Sequence, residues 1–328
     1  MVVSGGDTGD TSAPALAPVL LGVDFELDRA SSLYRFGRIY RGDNSGPAER
    51  SPLTAPGLEV KEGDYLLAVN GTELLAPTNP YLPFIGLRDT VTLTISRTAH
   101  GPGRTINVQP LRSEQALRQA DWIRRERESV DALSGGKLAY VFLPDMGEDG
   151  AEQFTRQYFP QLDKAGLIID MRFNRGGYLS PFLLEMLNRR ITGRFINREG
   201  GGEFRPRELM TGPKVCLVNE FTSSDGEQFA YFFNQAAVGQ LVGKRTAGSV
   251  RGISGSWDLL DGGSITFPIN ALYADSGEPL IEGGGVAPGV EVDNGSMGSF
   301  GTHDQQLNAA IKLALRQLER SASPLVGK

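Results

Sequence analysis

Cysteine and histidine are both scarce in this chain. Its 328 residues include a single cysteine, Cys216, and two histidines, His100 and His303. One cysteine excludes a disulfide framework within the chain, and so few thiol and imidazole ligands argue against a zinc site. We therefore expect no metal and no cofactor. Cys216 stands in the apolar run Lys214 to Val218, and we expect it to be buried because free cysteine packs as a small hydrophobic residue.

Long apolar runs and an excess of basic residues are also absent. No segment approaches the roughly 20 apolar residues of a membrane span, and the N-terminus has neither the basic nor the apolar region of a signal peptide. The net charge of −6 gives no indication of nucleic-acid binding. We therefore expect a cytoplasmic protein with no membrane or nucleic-acid partner. The Gly- and Asp-rich opening over residues 1–10 looks like a loop cut from a longer chain.

The length of the chain predicts more than one domain, because a single hydrophobic core rarely supports 328 residues. Changes in the pattern of apolar and polar residues along the sequence suggest where the domain boundaries fall. The expected parts are a flexible lead-in (1–17), a β-rich domain (18–112), a connecting helix (113–135), an α/β domain (136–322) and a tail (323–328). In the β-rich part, apolar residues alternate with polar ones, and Asn70-Gly71 is a strong hairpin signal.

The α/β domain is predicted from continuous apolar runs that alternate with helical patterns. Leu138–Leu143, Leu167–Met171 and Val215–Val218 suit strands that are buried on both faces. Strand–helix alternation implies right-handed crossovers and a mainly parallel sheet. Residues 256–273 are more strand-like and predict an antiparallel excursion, and residues 304–318 predict a last amphipathic helix.

Ser224 follows a predicted strand and begins a predicted helix over residues 225–236. The N–H groups of a first helical turn are free, and the helix dipole there favours negative charge. A serine at such a turn can be a nucleophile, with the N–H of Asp225 as an oxyanion donor. The glycine that usually precedes such a serine is absent, and a plain helix-capping serine is the alternative.

A second loop, which contains Gly176 and Gly177, also follows a buried strand and precedes a helix. Loops at the carboxyl ends of parallel strands are where sites form, and paired glycines let the backbone approach a ligand closely. This loop could supply a second oxyanion donor, or it could be an ordinary turn. A phosphate-binding loop is not indicated, because no Gly-Lys-Ser/Thr follows.

These segments resemble a known family. Residues 136–320 are similar to the catalytic domain of tricorn proteases, which are relatives of the carboxy-terminal processing peptidases. The matching segments are Ile168–Asn174 with Gly176 and Gly177, Asn219–Gly226, Gly243–Thr246 and Glu282–Pro288. Residues 18–112 resemble the PDZ domain that precedes it, with Leu21–Asp24 similar to its carboxylate-binding loop and Gly63–Gly71 similar to its signature strand. The implied fold is an α/β catalytic domain preceded by a PDZ-like β-barrel.

The resemblance implies a role for each matching residue. Ser224 would be the nucleophile of a serine endopeptidase, with the N–H groups of Asp225 and Gly177 as its oxyanion hole. Glu282 would orient the catalytic network, although on its own it would be taken for a solvated loop carboxylate. The PDZ loop formed by Leu21, Gly22, Val23 and Asp24 would bind peptide carboxylates. The implied partners are peptide substrates and, as in the family, further copies of the same chain.

Two departures from the family pattern concern the general base. The tricorn base is a histidine in a Ser-His pair, which this sequence lacks, and residues 2–7 resemble the stretch just after that pair. In this sequence, Ser249 stands at the position where the processing peptidases have their lysine base. Neither His100, in a turn of the PDZ-like part, nor His303, before the last helix, fits the role. We therefore expect a fragment with a nucleophile and an oxyanion hole but no base, nearly inactive alone.

A further departure concerns substrate preference. Tricorn carries an acidic residue after the helix that follows the glycine loop, whereas residues 191–195 here contain no acid. This favours an apolar or mixed pocket, or an Arg194 that binds acidic side chains. The rival interpretation of the whole chain is a catalytically inactive scaffold whose PDZ-like domain captures peptides by strand addition.

Overall fold

The computed structural model describes residues 3–4, 17–42, 50–295 and 304–322. The chain divides into two units, here called the PDZ-like unit (Thr11–Arg125) and the α/β unit (Met1–Asp10 with Glu126–Lys328). The strands are β1 (Val3–Ser4), β2 (Val23–Asp28), β3 (Leu33–Ile39), β4 (Tyr65–Val69), β5 (Thr72–Glu73), β6 (Val91–Ser96), β7 (Arg104–Val108), β8 (Leu138–Phe142), β9 (Gly166–Asp170), β10 (Gly193–Ile196), β11 (Gly202–Arg205), β12 (Lys214–Val218), β13 (Gln240–Gly243), β14 (Ile253–Asp258), β15 (Ser264–Pro268) and β16 (Val290–Glu291). The α-helices are α1 (Gln115–Ser134), α2 (Glu148–Tyr158), α3 (Ser180–Leu187), α4 (Asp225–Gln235) and α5 (Gln305–Ala322).

The PDZ-like unit is built on an antiparallel sheet in the order β2-β3-β4-β6-β7, with β5 paired to β4. The alternation of apolar and polar residues predicts that one face of each strand is buried. In β6 this is the case, because Val91, Leu93 and Ile95 are each at most 1% exposed. Asn70 (φ 49°) and Gly71 (φ 80°) form the turn between β4 and β5. Both have the left-handed backbone that a two-residue hairpin turn requires.

The α/β unit contains a parallel sheet in the order β16-β13-β12-β9-β8. Strands β8, β9 and β12 are buried along their whole length, as their continuous apolar sequences predict. Helix α2 connects β8 to β9, α4 connects β12 to β13, and α5 packs on β9, β12 and β13. The predicted fold class is thereby confirmed. Among the described residues, no helix is both long and apolar enough to cross a membrane.

Two antiparallel hairpins extend the α/β unit. The first, β10–β11, is exposed at every residue, and the sequence analysis did not predict it. The second, β14–β15, is the predicted antiparallel excursion, and β1 pairs with β15 through Val3 opposite Ile265. A paired strand therefore lies within the segment that was expected to be a flexible lead-in; most of that segment falls outside the described residues.

Edge strand β8 is closed by two glutamine side chains instead of a neighbouring strand. The amide of Gln157 accepts the N–H of Phe142 at 3.0 Å and donates to its carbonyl at 3.3 Å. Gln161 makes the same pair of contacts with Tyr140, at 3.2 and 3.0 Å. Because residues two apart in a strand expose their backbone groups to the same side, the two amides imitate a strand partner.

Candidate active site

Two loops of the α/β unit meet at one edge of the parallel sheet. Leu217 of β12 is in register with Asp170 of β9, so the chain leaves both strands at the same edge. The Asn174 carbonyl accepts the N–H of Ser223 at 2.9 Å, which joins the two loops. The buried Asn174 amide also accepts the N–H of Gly176 and donates to the Leu143 carbonyl, at 2.9 and 3.0 Å.

A buried ion-pair network fixes the start of the first loop. Arg172 is fully buried and pairs with Asp170 at 2.6 Å and with Asp304, before α5, at 2.5 Å. Burial opposes the charge of Arg172, but the two carboxylates outweigh it and raise the pKa of the guanidinium. The Tyr140 hydroxyl also donates to Asp170, at 2.9 Å. The chain therefore leaves β9 along a rigid path.

Ser224 occupies a strained position immediately before α4. Its backbone angles are φ 54° and ψ −128°, a region that residues with a side chain rarely adopt and that costs roughly 1–3 kcal/mol. Its N–H donates to the Ser249 carbonyl at 3.0 Å and to Glu227 at 3.2 Å. The residue is half-buried, so its side chain is partly accessible.

Gly176 approaches Ser224 so closely that no larger residue fits. A β-carbon at Gly176 would lie 2.5 Å from the Ser224 Cβ and 2.7 Å from the Asp225 nitrogen, and its φ of 95° is also unfavourable for other residues. Gly177 is similarly restricted, because a β-carbon there would lie 2.2 Å from the Met146 carbonyl oxygen. The glycine pair thus brings bare backbone up to the serine.

Two backbone donors flank this contact. In the part of the chain that the structure describes, neither the N–H of Gly177 nor that of Asp225 donates a hydrogen bond. Gly177 is exposed, and Asp225 is the first residue of α4, where N–H groups have no partner within the helix. Both are therefore available to an acceptor next to Ser224.

Glu227 is the residue that sequence reasoning missed. Its carboxylate is fully buried and accepts four donors: the Thr246 hydroxyl (2.5 Å) and the backbone N–H groups of Gly248 (2.6 Å), Ser249 (2.8 Å) and Ser224 (3.2 Å). It thereby ties the serine turn to the loop after β13. The pattern Ser-x-x-Glu at a helix start, here Ser224 to Glu227, is a capping-box signal that could have identified it.

Two family models match the chain: residues 137–292 match peptidase family S41, and residues 20–113 match the tricorn protease PDZ domain. A tricorn protease homolog of Saccharolobus solfataricus is 35% identical over 300 residues, which are 91% of this chain and 28% of the relative. Tricorn protease homolog 1 of Streptomyces coelicolor is 36% identical over 303 residues, 92% of this chain and 28% of the relative. The crystal structure of the tricorn protease matches with a TM-score of 0.80 at 28% identity, over 92% of this chain and 29% of that one. The chain belongs to the tricorn-like S41 serine protease family.

The chain spans about a quarter to a third of the length of the curated tricorn relatives it matches, between 24% and 35% of each. The family acts on peptides.

Glu282, the predicted orienting carboxylate, lies beside the loop that carries Ser249. It accepts the N–H groups of Val250 and Arg251 at 3.0 and 3.1 Å and pairs with the Arg251 guanidinium at 3.6 Å. Its side chain is 30% exposed. Its link to Ser224 runs through this loop, since the Ser249 carbonyl accepts the Ser224 N–H. The orienting role stays a prediction.

The PDZ loop, Leu21–Asp24, is tied to its own unit. A β-carbon at Gly22 would lie 2.6 Å from the Leu117 side chain of α1, and Asp24 accepts Arg118 and the Tyr40 hydroxyl, both at 2.7 Å. Burial and the hydrogen bond to Asp24 raise the pKa of Tyr40 to about 12. Binding of peptide carboxylates by this loop stays a prediction.

The remaining candidates are the two histidines, Ser249 and Arg194. His100 is exposed in a turn of the PDZ-like unit, and His303 lies outside the described residues. Ser249, at the position of the processing-peptidase lysine, is exposed next to Ser224. Arg194 is exposed in β10 and stacks over the Phe204 ring at 5.6 Å. Its proposed preference for acidic side chains stays a prediction.

Proposed function

We propose that this chain carries the nucleophile and the oxyanion hole of a tricorn-type serine endopeptidase. The observation that carries the proposal is the strained Ser224 turn, which is packed against Gly176 and flanked by two available N–H groups. Backbone strain at a partly accessible serine is a feature of nucleophile turns.

In the proposed reaction, Ser224 Oγ adds to the carbonyl carbon of the scissile peptide and its proton passes to a general base. The developing oxyanion accepts hydrogen bonds from the N–H groups of Asp225 and Gly177. The carbon–nitrogen bond then breaks, the amine leaves with the proton from the base, and an ester to Ser224 remains. Water hydrolyses this acyl-enzyme and restores the hydroxyl.

Among the described residues, no general base is in contact with Ser224. No histidine or lysine in the described ranges makes a hydrogen bond to this serine. The proposal therefore includes a base contributed by another polypeptide segment, with the Ser-His segment of tricorn proteases as the model. Peptide hydrolysis by the chain alone is expected to be slow.

The test is peptide hydrolysis by the chain alone and by a fusion that places a tricorn Ser-His segment before Met1. The fusion is expected to hydrolyse peptides at least about a hundredfold faster, in line with the contribution of a general base. Ser224→Ala should abolish that gain, whereas Ser321→Ala, at an exposed serine of α5, should retain it.

The same experiment separates the rival function. If the fusion binds peptides but hydrolyses none, and Ser224→Ala leaves binding unchanged, the inactive scaffold is the better account. Rapid Ser224-dependent hydrolysis by the unfused chain would contradict the external base but support the nucleophile.

A further inference from the structure

The side chain of Asp225 makes contacts that its proposed role as a backbone donor does not require. Its carboxylate is 3% exposed and accepts two hydrogen bonds from Ser180, the first residue of α3. The Ser180 N–H donates to Oδ2 at 3.0 Å, and the Ser180 hydroxyl donates to Oδ1 at 2.5 Å. Hydrogen bonds that involve a carboxylate are shorter and stronger than neutral ones.

These contacts join the elements that carry the two candidate oxyanion donors. Ser180 follows Gly177 by three residues and begins the helix into which the glycine loop leads. Asp225 supplies the second donor from its own backbone at the start of α4. One residue therefore provides one donor and, through its side chain, holds the element that provides the other.

The glycine loop has a physical need for such an anchor. Gly176 and Gly177 have no side chains to pack, and glycine loses the most conformational freedom on ordering. One anchor is Met146, whose N–H donates to Gly176 and whose carbonyl accepts Tyr178, at 2.9 and 2.8 Å. That anchor fixes the loop to the segment before α2. The Asp225–Ser180 pair fixes the far end of the loop to α4, which begins immediately after Ser224.

Electrostatics favours the same arrangement. The carboxylate sits in the first turn of α4 and meets the first residue of α3, and helix N-termini stabilise negative charge. A charged acceptor is thus held in a buried place by two helix starts at once.

We propose that Asp225 is a positioning residue. Its carboxylate accepts two hydrogen bonds from Ser180 and so sets the spacing between the Gly177 and Asp225 oxyanion donors. This inference rests on the proposed function. Its consequence is that loss of the side-chain contact weakens binding of a tetrahedral, negatively charged adduct far more than binding of the uncharged peptide, because the oxyanion exists only in the former.

The experiment uses a peptide boronate and the same peptide with a carboxamide end, so it requires no turnover. Boron accepts Ser224 Oγ as its fourth ligand, the hydroxyl proton passes to solvent, and the tetrahedral anion imitates the oxyanion intermediate. Dissociation constants of both probes are measured by calorimetry on the whole chain, and Tm is recorded for every variant.

Ser180→Ala, which keeps the backbone contact, and Asp225→Asn, which removes the charge, are the test variants. Both are expected to weaken boronate binding by about tenfold or more and to change carboxamide binding by less than about twofold. The matched control is Ser134→Ala, which removes another buried serine hydroxyl, one that accepts the Leu138 N–H at 3.2 Å. It should lower Tm comparably without changing the affinity for boronate.

Two results would count against different parts of the argument. If Ser224→Ala does not weaken boronate binding, the proposed function fails. If Ser224→Ala does weaken it, but Ser180→Ala only lowers Tm as Ser134→Ala does, then Asp225 has a structural role alone and the positioning role is overturned. Should Asp225→Asn fail to fold, Ser180→Ala decides by itself.

Discussion

The backbone N–H of Ser224 donates to the carbonyl of Ser249 at 3.0 Å, so the candidate nucleophile and the position of the processing-peptidase lysine are adjacent. The Ser249 side chain is exposed, so a longer side chain can be built there without displacing the core. Because of this adjacency, a substitution at position 249 can test whether a base placed there activates Ser224.

Ser249→Lys is expected to give the chain at least about tenfold more peptidase activity, because a lysine amine beside Ser224 can accept its proton. Ser249→Arg is the matched control, since it adds the same charge on a group that does not lose its proton in proteins. Initial rates of peptide hydrolysis are the measurement. A gain that survives Ser224→Ala, or that arginine reproduces, would contradict the prediction.

Gly176→Ala tests the close approach of the glycine loop. The new methyl group would lie 2.5 Å from the Ser224 Cβ at a φ of 95°, so the loop must move. We expect a loss of about 2–4 kcal/mol in the free energy of unfolding, measured with urea, together with loss of boronate binding. Gly262→Ala is the control for backbone strain alone, because its φ is 79° with no atom within 4 Å of the new methyl. Equal losses in the two variants would argue against a steric restriction at Gly176.

Glu227→Gln tests the buried carboxylate. The variant replaces one acceptor oxygen by an amide donor, which then faces backbone or hydroxyl donors already aimed at Glu227. We expect a loss of about 3 kcal/mol, as found when a buried charged hydrogen-bond partner is removed. Glu282→Gln, on a carboxylate that is 30% exposed with two backbone donors, should cost less than about half as much in the same urea titration. Similar losses in the free energy of unfolding for the two variants would show that the burial of Glu227 does not determine the size of the effect.

The parts of the fold that could be predicted are those that sequence periodicity encodes. Strands β8, β9 and β12 are buried on both faces, so their sequences are continuous apolar runs. The position of Ser224 at a strand-to-helix turn followed from the same runs. Hairpin β10–β11 was missed because all its residues are exposed, which removes the apolar alternation that marks a strand.

Contacts between distant side chains could not be predicted. The contact of Asp225 with Ser180 joins residues 45 apart, and no local pattern relates them. Glu227 carried a local signal as the fourth residue of Ser-x-x-Glu, but its contacts with Thr246 and Gly248 depend on the path of the chain after β13. Helix α5 was predicted to end at residue 318 and continues to Ala322, since helix ends are poorly marked without a capping residue.

The raised pKa of Tyr40 predicts that the folded chain loses stability at high pH. Its pKa is raised to about 12 from an ordinary value of 10, so the folded chain retains the phenolic proton where the unfolded chain releases it. By linkage, this stabilisation is complete below pH 10 and is lost as the pH rises from 10 to 12. Stability against urea should fall less steeply over this range in Tyr40→Phe. Burial or hydrogen bonding also raises the pKa of Tyr65, Tyr81, Tyr140 and Tyr158, so absorbance at the tyrosinate band should show several late-titrating groups, with one fewer in Tyr40→Phe. An unchanged number of late-titrating groups in Tyr40→Phe would contradict this.

The isosteric substitution Gln157→Glu tests whether the glutamine side chains protect the edge of β8. Gln157→Glu keeps the oxygen that accepts the Phe142 N–H but places a second carboxylate oxygen against the Phe142 carbonyl, which now accepts the amide donor at 3.3 Å. Because Gln157 is 5% exposed, the repulsion between these oxygens is poorly screened. We expect a loss of about 1–3 kcal/mol in the free energy of unfolding and, because an uncovered strand edge pairs with other chains, more self-association by light scattering. Gln153→Glu is the matched control, since Gln153 acts as an acceptor for the Gln157 side chain at 2.6 Å and glutamate retains that function. If both variants are equally stable and monomeric, the glutamine amides do not protect the edge.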